Sequence, residues 1–179
     1  MAKISVLDRF PNVVRFFCAV PTLAGTINPP FKISSNYNPK DLLVMKIQRV
    51  RYILDKTRMN LDAVLDEIRI GLCLQATVPA AGFMSYSSGL LDYNSITQQF
   101  GTSVGAFPVS ADIVKDFSSL QGGGLICHPA SLYAWNQNAC TADLAATVSV
   151  IIEIYYTLED LTPADWQEMW QLGYITSTI

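Results

Sequence analysis

The sequence predicts an all-β fold, an antiparallel β-sandwich or barrel, and three observations carry the prediction. Segments with the two-residue period of strands recur between turn signals, helical segments are scarce, and no β-α-β alternation is present. With 179 residues, half of them hydrophobic, one domain over residues 1–179 with a single sizeable core is expected.

Near the N-terminus, AKISVLDRF and VVRFFCAV read as short strands separated by Pro11 and Asn12. TINPPFKISSNYNPKD, rich in Pro, Asn and Ser, reads as a loop or extended edge with a short strand at Phe31–Ser34. DLLVMKIQRVRYILD predicts a long strand on its length and its Val, Ile and Tyr content, although its apolar spacing also fits a helix. Strict alternation places Leu42, Val44, Lys46, Gln48, Val50, Tyr52 and Leu54 on one face, and Leu43, Met45, Ile47, Arg49, Arg51 and Ile53 on the other. Glu67–Val78 has a half-buried pattern, with Ile68, Ile70, Leu72 and Leu74 opposite Arg69, Gly71, Cys73 and Gln75. From Pro79 to Gly124, small polar residues and isolated aromatics predict long loops with brief strands. Two short strands follow, Leu125–His128 and Ser131–Trp135, broken at Pro129, with a turn at Asn136–Asn138.

The clearest strand closes this part of the chain. Val148, Val150, Ile152, Ile154 and Tyr156 line one face, and Ser149, Ile151, Glu153, Tyr155 and Thr157 the other, which predicts a central strand. A short helix follows: Thr162 as N-cap, Pro163 in the first helical position, Asp165 near the positive end, Gly173 as the stop. Its Trp166, Met169 and Trp170, at i, i+3 and i+4, share one apolar face, expected to cover a sheet edge or dock on a neighbour.

Charged residues make up 15% of the chain, against about 25% in soluble proteins, and mean hydropathy is +0.27. Some apolar surface is therefore expected to meet another subunit. Residues 1–60 hold ten basic and three acidic residues, and residues 61–179 two basic and twelve acidic, a split of +7 and −10. Lys46, Arg49, Arg51, Lys56 and Arg58 are the candidates for contact with nucleic acid or a membrane; the competing reading pairs these charges with acids across strands. Cys18, Cys73, Cys127 and Cys140 are widely spaced, as buried free thiols would be. Pro21 and Asp8 spoil a signal-peptide reading of the first 25 residues, and LAATVSVII is too short to span a bilayer, so no targeting or transmembrane segment is expected.

Catalytic signals are few. His128 is the single histidine, too little for the converging ligands of a metal-dependent barrel, and on a strand it points away from its neighbour Cys127. A hydrolase could recruit His128 with a nucleophile such as Cys18, Cys73 or Cys140, a reading ranked last because no nucleophile elbow occurs; SYSSG lacks the first glycine of GxSxG. Adjacent carboxylates, Asp66 with Glu67 and Glu159 with Asp160, diverge along a strand. Gly122, Gly123 and Gly124 lack the Lys-Ser/Thr of a phosphate loop and suit a turn. No catalytic residue, cofactor or metal ligand is assigned, no small-molecule substrate is expected, and the chain is not read as an enzyme. Tyr86, Tyr93 and Phe107 are aromatic candidates for subunit contacts or, in an alternative reading, for a carbohydrate- or receptor-binding module of spike or lectin type.

A strand-rich domain of this length ending in VSVIIEIYYTLEDL, with TPADWQEMW appended, resembles the single jelly-roll capsid proteins of icosahedral viruses. The resemblance implies eight main strands in two facing sheets, loops used for subunit contacts, and many copies assembling into a shell. The partners it implies are other copies of the chain and other capsid proteins, with the genome or an internal membrane inside, and the location it implies is the virion. The chain departs from the pattern of many such proteins in having no basic N-terminal arm, which favours viruses with internal membranes as the closer group.

Overall fold

The computed structural model describes residues 12–33, 37–38, 40–54, 65–74, 89–99, 112–120, 123–140, 143–144 and 147–171. In chain order these form β1 (Asn12–Ala19), β2 (Phe31–Lys32), β3 (Leu43–Leu54), β4 (Leu65–Cys73), β5 (Leu90–Gln99), β6 (Asp112–Asp116), β7 (Leu125–Cys127), a 3₁₀ turn (Pro129–Ser131), β8 (Tyr133–Asn138), β9 (Ser149–Asp160) and α1 (Pro163–Gln171). One antiparallel sheet has the order β1-β9-β3-β6, with β7 following β6 along the same edge of β3; the other has the order β2-β8-β4-β5. Only the β4–β5 and β6–β7 connections stay within one sheet, and every other connection crosses the sandwich. This is the strand order of a single jelly roll, an all-β sandwich with one short C-terminal helix.

The core lies between the sheets. Val50, Tyr52 and Leu54 of β3 and Val150, Ile152 and Ile154 of β9 face Ile68, Ile70 and Leu72 of β4, all buried. Burial of each aliphatic side chain contributes about 1.5–3 kcal/mol relative to exposure. β9 is central, paired along its length with β1 on one side and β3 on the other.

β3 departs from strict alternation. Its pairing with β9 shifts between Ile47 and Arg49, leaving Gln48 as the extra residue of a bulge. Met45 and Ile47 therefore face the core before the bulge, and Val50, Tyr52 and Leu54 face it after, so Lys46 and Gln48 do not share a face with Val50. Gly124 approaches the bulged backbone at φ +154; a Cβ there would stand 2.5 Å from the Ile47 carbonyl oxygen.

The region expected to be loops contains β5, a ten-residue strand. Its inward positions include Asp92 and Asn94, which masks the apolar alternation of a strand. The turn expected at Asn136–Asn138 is the end of β8. These asparagines are buried because they anchor the chain between β1 and β2: Asn136 Nδ2 donates to the Ala19 carbonyl at 3.1 Å and Asn138 Nδ2 to the Thr22 carbonyl at 2.9 Å. The half-buried pattern of β4 holds only from Glu67 to Ile70. From Gly71 onward both faces are buried, and Gly71 has no room for a side chain, since a Cβ would lie 2.2 Å from the Asp92 carbonyl oxygen and 2.9 Å from Trp135 Nε1.

α1 starts with a reciprocal cap. The Thr162 backbone N–H and hydroxyl donate to Asp165 Oδ2 at 3.3 and 2.6 Å, and Asp165 N–H donates to Thr162 Oγ1 at 3.3 Å. No residue of α1 is buried. AKISVLDRF and Gly173 lie outside the described residues.

Candidate functional site

Alternation along the β1-β9-β3-β6 sheet puts Val13, Arg15 and Phe17, then Ile151, Glu153 and Tyr155, then Arg49, Arg51 and Ile53, and finally Asp112, Val114 and Asp116 on its outer face. Cross-strand register makes two rows of mixed chemistry: Val13, Tyr155, Arg49, Asp116 and, beside it, Arg15, Glu153, Arg51, Val114. Glu153 is 3% exposed although it points away from the core. It accepts from Arg15 Nε at 2.8 Å and from Arg51 Nη1 at 3.4 Å. Arg51 also grips Asp112 through two parallel bonds, Nε to Oδ1 at 2.8 Å and Nη2 to Oδ2 at 2.6 Å, which hold its guanidinium above its ordinary pKa. Lys46 pairs with Glu159 at 2.7 Å.

Arg49 differs from these cations. It forms no ion pair among the described residues; its guanidinium lies over the Tyr155 ring, 4.2 Å from the centroid. A shallow hollow opens on each side of this stack. One, of about 270 Å³, is lined by Arg49, Arg51, Asp112, Val114 and Tyr155, and the other, of about 260 Å³, by Gln48, Arg49, Asp116, Ser118 and Tyr155. Val13, Phe17 and Val114 are each more than half exposed here. An aromatic and arginine-containing face on which Arg15, Arg51, Glu153 and Asp112 are mutually paired has the composition of a protein–protein contact. On α1, Trp170 is exposed and Trp166 and Met169 are half-buried.

On the outer face of the other sheet, Tyr93 stacks on the buried Trp135, ring centroids 6.0 Å apart. Tyr93 thus stands on β5, half-buried, rather than on a loop. Beside it, Glu67 accepts from Arg69 Nε at 2.7 Å and from the Ser95 hydroxyl, and the Arg69 bond chiefly holds its carboxyl below the usual range.

Both nitrogens of the His128 ring are engaged. Nδ1 accepts from Ala130 N–H at 3.1 Å, which leaves Nε2 as the donor to the Asp41 carbonyl at 2.9 Å. Burial lowers its pKa, so the ring is a neutral cap on the 3₁₀ turn. The four cysteines are free and buried, and burial pushes the Cys127 thiol up to about 12, far from a reactive thiolate. Among the described residues no group of three or more His, Cys, Asp or Glu is placed to hold a metal ion, and no helix is long and apolar enough to cross a membrane.

The structure thus brings Arg49 and Arg51 together on one outer sheet face, with Lys46 further along β3, and places Trp166, Met169 and Trp170 on a separate helix. Tyr86, Phe107, Lys56 and Arg58 lie outside the described residues. Sequence reasoning missed Val13, Arg15, Phe17 and Val114, although alternation in NVVRFFCA places the first three on one face.

Strand order and outer face together define a jelly-roll sandwich with a charge-paired, partly apolar sheet face and an appended amphipathic helix. No protein-family model and no curated protein sequence matches the chain. The fold is similar to a chain in the X-ray structure of tomato aspermy virus, with 13% sequence identity and a TM-score of 0.47, over 82% of this chain and 77% of that one. A likeness this distant carries no argument about role.

Proposed function

We propose that this chain is a viral capsid subunit, a structural protein whose copies associate into an icosahedral shell and which resides in the virion. The observation that carries the reading is the outer face of the β1-β9-β3-β6 sheet, where exposed Val13, Phe17 and Val114 surround a buried Glu153 with its two arginines. Apolar side chains beside pre-paired charges suit burial against protein, because the arginines enter the contact with partners already bound. The same pairing leaves little free positive charge to neutralise phosphates, so this face is proposed for subunit contacts rather than for the genome. The jelly-roll order supports the reading as a fold in which shells are commonly built, alongside other uses.

Size-exclusion chromatography with native mass measurement and electron microscopy tests it. The expected result is a concentration-dependent assembly of many copies; a strictly monomeric species at high concentration, under all ionic strengths tried, would overturn it.

A further inference from the structure

We propose that α1 of one copy docks on the outer face of the β1-β9-β3-β6 sheet of a neighbouring copy, seating Trp170 in the hollow beside the Arg49–Tyr155 stack. This rests on the self-association proposed above and specifies the surfaces that meet.

The donor is a helix whose apolar stripe is only partly covered: Trp166 and Met169 are half-buried, no residue of α1 is fully buried, and Trp170 is 48% exposed. An amphipathic helix of nine residues has little stability by itself and gains most from packing its apolar face. The cap formed by Thr162 and Asp165 fixes its start, so the stripe is already built for a partner.

The receiver is sized for a side chain. At about 270 Å³ the hollow falls below the roughly 300 Å³ at which pockets for drug-sized ligands begin. One rim is the exposed Val114 and another the Tyr155 ring. The Arg49 guanidinium covers Tyr155 with one face, and an indole stacked on it from the hollow would gain the same cation–π attraction.

Charge selects the pairing. α1 carries Asp165 and Glu168 and no Lys or Arg, whereas Arg49 forms no close ion pair among the described residues and meets a carboxylate only through a longer-range attraction to Asp116 across the ladder. An acidic helix is repelled by anionic lipid, which argues for a protein occupant over a membrane. Its own helix does not fill the hollow: no α1 residue lines it, and Val114 and Trp170 are both about half exposed. A contact between two different surfaces, repeated from copy to copy, generates rings where the rotation closes and open filaments where it does not.

The test mixes two single variants, Gln171→Cys and Val114→Cys, which leave Trp170, Arg49 and Tyr155 in place, with a short bismaleimide; Gln171 is exposed and the natural thiols are buried and shielded. A dimer containing one chain of each kind is expected. A double variant that links only within its own chain would overturn the proposal, as would binding of the wild type to phosphatidylserine vesicles that Trp170→Ala abolishes. In native mass measurements, Trp170→Ala and Arg49→Glu are each expected to weaken association about tenfold or more, while Trp170→Phe retains most of it. If the wild type assembles and both variants assemble equally well, this docking fails and self-association stands; if the wild type never assembles, self-association fails first.

Discussion

Tyr52 of β3 and Asp92 of β5 meet across the interior of the sandwich, the phenol donating to Asp92 Oδ2 at 2.6 Å. Lys115 of β6 donates to Oδ1 at 2.7 Å and to the Tyr93 carbonyl at 2.8 Å, and Asn94 Nδ2 reaches Oδ2 at 3.2 Å. Burial, reinforced by the neighbouring carboxylate, raises the Tyr52 phenol well above its ordinary value, so it stays a donor. The network joins β5 and β6, edge strands of opposite sheets. Tyr52→Phe removes one bond to a charged group and is expected to cost about 1.5–3 kcal/mol. Asp92→Ala should cost more, about 3 kcal/mol, because it strips the partner from both Tyr52 and Lys115. Urea unfolding with an unchanged slope reads both; equal midpoint shifts would contradict the ordering.

Glu153 and Arg15 give an unequal pair. The carboxylate side chain is 4% exposed and the guanidinium side chain 60%, so only one partner loses much water. Arg15→Ala is expected to cost under about 1 kcal/mol, as exposed ion-pair members do. Glu153→Ala should cost about 2 kcal/mol, moderated because Arg51 keeps Asp112. Thermal unfolding checks the order.

Gly71→Ala forces a methyl to within 2.2 Å of the Asp92 carbonyl and 2.9 Å of Trp135 Nε1. Because the nearer atom is backbone, relief requires β4 and β5 to separate, with an expected loss of about 2–3 kcal/mol. Loss of soluble protein or an unfolding free energy lowered by that amount agrees; a stability within about 0.5 kcal/mol of wild type, the range of harmless surface changes, does not.

Acid should weaken the fold in two windows. His128 has its pKa lowered by burial, so below its ordinary 6.5 the unfolded chain takes up a proton that the folded chain refuses. The stability tied to it is complete above that value and is lost as pH falls through it toward the lower folded value. Glu67, held low chiefly by Arg69, contributes stability present above the ordinary 4.5 of a glutamate and lost as pH falls further. Urea midpoints measured from pH 7 to 3 should show both declines, the first flattened in His128→Gln and the second in Glu67→Gln; unchanged slopes would count against the assignment.

β9 and the cap of α1 were legible because each follows from neighbours in the chain: one face of Val150, Ile152 and Ile154, and one Thr-Pro-x-Asp start. β5 was hidden because Asp92 and Asn94 take inward positions that local patterning reserves for apolar residues, and only Tyr52 and Lys115, remote in sequence, make them acceptable there. The turn expected at Asn136–Asn138 failed for a similar reason, since Asn136 and Asn138 read as turn formers until the carbonyls of Ala19 and Thr22 are seen to need them. The outer face was half legible. Arg49 and Arg51 stood out as charge, but their different fates depend on register: Arg49 falls opposite Tyr155 and Arg51 opposite Glu153.

The extra residue at Gln48 makes β3 two short strands out of phase on one backbone. Its N-terminal half, held by β7, and its C-terminal half, held by β6, each keep their own alternation. A change of residue type at Gln48 is therefore cheap, and deleting it would leave Met45, Ile47, Val50, Tyr52 and Leu54 in one unbroken alternation toward the core. What the faces do not tolerate is a regular ladder that keeps Gln48: either Met45 and Ile47 would turn outward to solvent, or Arg49 and Arg51 would turn inward to the core. The chemistry shown on this surface depends on residue 48 being looped out of the ladder rather than counted in it.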